Sequence, residues 1–220
     1  MVDMVVIPEG DFQMGSFKNE LLEPVGMFHV PSFMMGRYPV TNQEYYEFLV
    51  AHSGYPVPDY WGRRDYNIHN HPVVGIKFND AVNYAQWRGL TLPTEIQWEY
   101  ACRAGTDTEY YTGDTVADLD RAGWYIGNSG NKSHPVGEKE PNAFGLYDMH
   151  GNVWEWVDIQ FNSITWPRVP REGRPLYSPS WKMYRGAGYS YPATQARSAY
   201  RKMSWHFHTY RAHGFRVCSL

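Results

Sequence analysis

The spacing of apolar residues changes along the chain, and it predicts short strands first and helices next. "MVVIPEGDFQMGS" alternates apolar and polar positions around a Pro-Glu-Gly turn. It predicts two short strands with Val5, Phe12 and Met14 facing the core. "FHVPSFMMGRYPV" predicts a second strand pair, broken at Pro31. The period then lengthens. In "TNQEYYEFLVAHSG", Thr41 and Glu44 form a capping box, Tyr45, Phe48 and Leu49 make one stripe, and Gly54 stops the helix. "NDAVNYAQWRG" predicts a second helix, with Asn79 as N-cap, Val82, Ala85 and Gln86 at helical spacing, and Gly89 at the C-terminal end. "LPTEIQWEYACRAG" predicts a third, capped by Thr94 and Gln97, with Ile96 and Tyr100 one turn apart and Gly105 as the stop. Cys102 lies inside this helix, where a free cysteine behaves as a small buried apolar residue.

After Gly105 the pattern breaks into short aromatic words separated by Gly, Asn, Asp and Pro. "YRGAGYSY", "ARSAYR" and "HGFRV" predict late strands joined by loops. Composition agrees. Aromatic residues make up 17% of the chain, with 18 Tyr and 9 Trp, beside 20 Gly and 15 Pro. That mixture suits irregular loops pinned by large rings and argues against a helical bundle. With 220 residues and no repeat or linker, one α+β domain over residues 1–220 is the expected organisation. A net charge of −3 gives no reason to expect nucleic acid or an anionic membrane as partner. There is no apolar run long enough for a membrane span. The first residues lack the basic and apolar regions of a signal peptide, so a cytoplasmic location is the default, with surface or phage display left open. Two cysteines, Cys102 and Cys218, are expected to be reduced thiols.

Six words occur in order over nearly the whole chain: "IPEGDFQMGS", "YPVTNQEYYEFL", "HPVVGIKFNDAVNYAQW", "LPTEIQWEYACRAGT", "NAFGLYDMHGNVWEW" and "GFRV". Together they resemble the formylglycine-generating enzyme (sulfatase-modifying factor) family. The resemblance implies a C-type-lectin-like fold: small twisted antiparallel sheets, about three helices and much irregular loop. It does not by itself imply an activity, because this scaffold carries copper-dependent oxidases, iron-dependent sulfoxide synthases and binding proteins. The copper chemistry needs two thiolates in the C-terminal segment. The matching stretch, Gly186 to Arg201, contains no cysteine. The iron chemistry takes its histidines largely from a helical bundle ahead of the domain, and this sequence begins at the domain. Neither copper nor iron is therefore expected, and no catalytic residue is assigned. The resemblance implies instead a structural calcium held by Asp148, the carbonyls of Gly151 and Val153, and Glu155, an oxygen-rich set suited to a hard cation.

The last stretch of interest is "MSWHFHTYRAH", Met203 to His213. As a strand it would place His206 and His208 on one face. With His213 they offer an alternative reading, an enzyme with an atypical metal site. The segment has no acidic residue to orient an imidazole. Its mixture of Tyr, Trp, His, Ser and Thr is the chemistry of a contact surface. The residues expected to bind are Tyr189, Tyr191, Thr194, Ser204, Trp205, His206, His208, Tyr210 and His213, with Ser190 and Thr209 beside them. They fall between fixed words: Arg185–Gly186, "ARSAYR" and "GFRV". That layout is similar to the variable proteins of diversity-generating retroelements, whose variable region lies at the C-terminus of this fold. It predicts a non-catalytic protein that binds a protein or surface glycan through residues 186–213.

Overall fold

The computed structural model describes residues 2–17, 25–158 and 180–219. Four strands open the chain: β1 (Met4–Ile7), β2 (Gly10–Met14), β3 (Gly26–Val30) and β4 (Phe33–Gly36). β2 and β3 form a two-stranded ribbon, and β1 pairs antiparallel with β4. The last strand, β11 (Cys218–Ser219), returns to the other side of β4, so the chain ends close together in one three-stranded sheet.

Helix α1 (Asn42–Ala51) and helix α3 (Glu95–Arg103) start at the predicted capping boxes. Thr41 and Thr94 accept from the backbone N–H three residues on, and Glu44 and Gln97 return the bond. Helix α2 (Phe78–Trp87) begins two residues earlier than predicted. Its N-cap is Lys77, without a side-chain cap, and it buries Phe78, Ala81, Tyr84 and Ala85 in place of the Val82 and Gln86 stripe. The expectation of about three helices is one short among the described residues. Helix α4 (Val116–Ala122) carries a third capping box, Thr115 with Asp118, which the shorter acidic side chain and the flanking glycines and aspartates had hidden.

The central sheet runs β10 (His213–Phe215), β7 (Trp154–Val157), β8 (Trp181–Arg185) and β9 (Lys202–Trp205). It is mixed, not purely antiparallel. β10 lies parallel to β7, as do the short strands β5 (Gly123–Trp124) and β6 (His150–Gly151) to each other. Both faces of β7 are buried, and its one charged residue, Glu155, is paired with Arg216. Trp154 and Trp156 reach one core cluster with Tyr45, Tyr84 and Phe215, while Val157 joins a second with Trp98, Met149 and Met183. "ARSAYR", expected as a strand, is instead bend and turn that follow the short 3-10 helix Ala193–Gln195. Its arginines reach Glu109 and Glu95, and its backbone bonds to Glu109, His150 and Arg185.

Candidate functional site

The C-terminal segment is held from below by ion pairs buried with α3 and β7. Arg185, fully buried at the end of β8, bonds to Glu99 and lies 3.5 Å from Glu95. Arg201 bonds to Glu95 through two nitrogens. Arg216 grips Glu155 from Nε at 2.7 Å and from Nη2 at 2.8 Å, and donates to the carbonyls of Gly36 and Tyr147. The three fixed words of the sequence thus each supply an arginine to a buried carboxylate. Burial alone would raise the pKa of Glu99. The Arg185 and Arg103 charges and the Gly15 N–H outweigh it and hold the group below its ordinary value.

Above this base the chain leaves β8 through Gly186 and Ala187, both with positive φ (89° and 66°). A side chain at Gly186 would meet the Trp98 ring at 3.1 Å, so the turn passes close over α3. Tyr189 then turns inward. It is fully buried, and its hydroxyl donates to the Arg211 carbonyl at 3.2 Å. This corrects its assignment to the contact face: Tyr189 is core. His213 is also core, 1% exposed, because β10 pairs with β7 there and the rings of Tyr184 and Tyr210 enclose it at 4.1 and 4.6 Å.

The remaining predicted residues do lie toward the surface, but in two places. Trp205 and Phe207 (37% and 50% exposed) stack at 5.9 Å beyond the edge of β9, with Trp181 beside Trp205. Strand β9 ends at Trp205, so His206 and His208 do not share a strand face with each other. His206 bonds through its backbone to Ser180 and Phe78, and His208 Nδ1 faces the Ser204 and Tyr210 hydroxyls at 3.3 and 3.5 Å. With His213 buried, the three histidines form no metal site. Thr194 is exposed on a separate turn, Ala193–Gln195.

The second place is a cleft of about 570 Å³ lined by Tyr191 and Tyr210 together with Tyr60, Ile126, Asn131, Ser190, Arg211 and Ala212. Tyr60, Ile126 and Asn131 come from distant loops and have no local signal in the sequence. Arg211 had a signal in the sequence: the chain from Trp181 to Ser219 contains seven cations and no acidic residue. Burial lowers the pKa of Lys202, whose ammonium stands 4.6 Å from the centre of the Tyr191 ring and 5.5 Å from that of Trp154.

Both carboxylates of the expected calcium set accept hydrogen bonds from protein groups. Glu155 gives both oxygens to Arg216 and accepts the Trp98 indole N–H at 2.7 Å. Asp148 accepts from the Gly137 N–H at 2.8 Å, and burial pushes its pKa up to about 6, against the pull of that bond and of Arg216. Among the described residues no group of three or more His, Cys, Asp or Glu stands together to hold a metal. The thiols do not fit a copper pair either. Cys102 is buried in α3 against His150 and Ser198, and Cys218 is buried in β11 against Thr91. Burial raises their pKa values to about 12 and about 11, so both stay protonated at neutral pH.

The family model for the sulfatase-modifying factor enzyme 1-like domain matches residues 1–219. The chain belongs to this family. The sulfatase-modifying factor chain is 32% identical over 225 aligned positions to the formylglycine-generating enzyme of Mycobacterium tuberculosis, covering 73% of this chain and 75% of the relative. Its fold matches PvdO from Pseudomonas aeruginosa with a TM-score of 0.80 and 26% identity, over 98% of this chain and 93% of that one. It also matches Treponema denticola variable protein 1 with a TM-score of 0.77 and 22% identity, over 98% and 94%. The α+β, C-type-lectin-like architecture expected from the sequence is the architecture of this family member. No helix among its described residues is long and apolar enough to cross a membrane.

Proposed function

We propose that this protein is a non-catalytic ligand-binding member of the family. In this reading it recognises a protein or a surface glycan through the C-terminal cleft. The observation that carries the reading is the contrast within one segment. Residues around Arg185, Arg201 and Arg216 are locked to buried carboxylates, while Tyr191, Tyr210 and Arg211 project from that base into a cleft of about 570 Å³. Such a volume is ordinary for a small-ligand site, and tyrosines supply contact area at low entropic cost. Similarity in fold to a variable protein supports the same reading. Screening the purified protein against glycan and protein arrays tests it. Captured ligands should be lost by Tyr191→Ala and by Tyr210→Ala while the melting temperature stays within a few degrees. Capture that survives both substitutions refutes a role for the cleft.

One finding favours a second reading, an enzyme of the family with different chemistry: the 32% identity to a formylglycine-generating enzyme. The cysteines of this chain give it no support, since neither lines the cleft. Stoichiometric copper or iron in the purified protein would carry it. Calcium is not part of the proposal, because Asp148 and Glu155 already accept hydrogen bonds from protein groups.

A further inference from the structure

One cation in the cleft wall, Arg211, and a second against the Tyr191 ring, Lys202, stand without a carboxylate partner among the described residues. Seven cations lie between Trp181 and Ser219, and no carboxylate does. Arg185, Arg197, Arg201 and Arg216 reach carboxylates elsewhere in the fold. Lys182 lies over the Phe78 ring at 4.5 Å. Lys202 and Arg211 have no carboxylate within ion-pair distance among the described residues, and both stand at Tyr191. Lys202 is against its ring, and Arg211 shares the cleft wall with it. Asp59, next to Tyr60 of the same wall, accepts a hydrogen bond from the Thr209 hydroxyl.

Beneath the cleft lies a second, independent observation. His213 is 1% exposed, and neither of its ring nitrogens has a hydrogen-bond partner. The Trp154 indole N–H and the Tyr184 hydroxyl, both fully buried beside it, also lack a hydrogen bond of good geometry. Their neighbours are the hydroxyls of Tyr191 and Ser204 respectively. Buried polar groups are normally paired, and leaving one unpaired costs about 1–3 kcal/mol. Here several cluster at one point under a cleft. Lys202, Arg211 and the indole are donors only, so the set is rich in donors and poor in acceptors.

Resting on the reading of the cleft as a binding site, we infer that it takes a ring-bearing organic anion. A carboxylate or sulfate group sits between Lys202 and Arg211, and the ring lies against Tyr191 and Tyr210. The anion offers only acceptors, which is what the donors lack. The aromatic walls take the flat face of the ring.

Matched small probes test the charge separately from the shape: phenylacetate, phenyl sulfate and the neutral phenylacetamide, titrated by calorimetry or ligand-observed NMR. At least one anion should bind ten or more times tighter than phenylacetamide, and the carboxylate and sulfate arms decide which group fits. The preference should weaken as salt screens the charges. It should fall about tenfold in Lys202→Gln and in Arg211→Ala. Arg211 is exposed and has no ion pair among the described residues, so its variant keeps the test valid if Lys202→Gln folds poorly. Equal affinity for phenylacetamide overturns the inference. So does failure of both anions to bind, or a preference that survives both substitutions. Array capture lost by Tyr210→Ala without any anion preference would leave the binding cleft standing and remove only its charge selectivity.

Discussion

Two kinds of cation occur within the same stretch of chain, and they differ in what they hold. Arg185, Arg201 and Arg216 are buried against Glu99, Glu95 and Glu155. Lys202 and Arg211 both fall between Arg201 and Arg216 in sequence, yet touch rings and solvent. The first kind turns a loop-rich segment into a fixed base, because a guanidinium satisfies several carbonyls and a carboxylate at once. The second kind is free to meet a ligand. A fold with so little regular structure needs such a division. Its loops can vary only where the framework does not depend on them.

The sharpest way to break that division is to cut the base. Arg216→Met leaves Glu155 fully buried without its counter-charge and frees the carbonyls of Gly36 and Tyr147. Denaturant unfolding should show a loss of about 3–5 kcal/mol. Adding Glu155→Leu to the same chain should recover part of that loss, since an apolar pair avoids the lone buried charge. A single variant as stable as the parent would mean that the base is not electrostatic.

Next in size is the boundary between base and face, which runs through the tyrosines. Tyr189→Ala should cost about 3–4 kcal/mol, in the range of other large buried aromatics. Tyr189 is fully buried, and Tyr210, in the same segment, is 43% exposed. Tyr210→Ala should cost under about 1 kcal/mol, read by the same unfolding curves. Equal losses would erase the boundary drawn here.

The base should also respond to pH in two directions. Glu99 has a lowered pKa, so its contribution is present above the unfolded value and disappears as pH falls through the folded one. Asp148 is the reverse. Its folded pKa is raised to about 6, so its contribution is present below the unfolded value and is lost as pH rises through about 6. About two pKa units correspond to an upper bound of ~3 kcal/mol. Asp148→Asn should therefore flatten the fall in stability between pH 4 and pH 6. Millimolar calcium should leave the melting temperature unchanged at pH 7. A rise of several degrees would show that Glu155 and Asp148 leave their partners for the ion.

Much of the base was legible in the sequence. Capping boxes at Thr41 and Thr94 are local signals, and the structure uses both. The arginine words were visible as words, but their partners are a helix and a strand tens of residues away, which no local pattern reveals. The face was legible as composition and not as geometry. "SYPATQ" and "WHFHTY" look alike as mixtures of rings and hydroxyls. Only pairing of β10 with β7 decides that His213 points inward, and only the left-handed turn at Gly186 and Ala187 aims Tyr189 at the core. The partners of the two carboxylates expected to hold calcium were hidden for the same reason. Asp148 and Glu155 have suitable spacing for ligands, but Arg216 arrives from 61 residues later to take Glu155.

The smallest expected effect sharpens the comparison most. Arg211 and Arg216 are close in sequence and chemically identical, and they differ only in surroundings. Arg211 is exposed and has no ion pair among the described residues, so Arg211→Ala should change stability by no more than about 0.5 kcal/mol. Arg216→Ala, in the same assay, should approach the several kcal/mol expected for the methionine variant. If Arg211→Ala proves as costly as Arg216→Ala, the cation belongs to the base. Its place in the cleft wall is then structural, and the division between holding and meeting residues moves inward to Lys202.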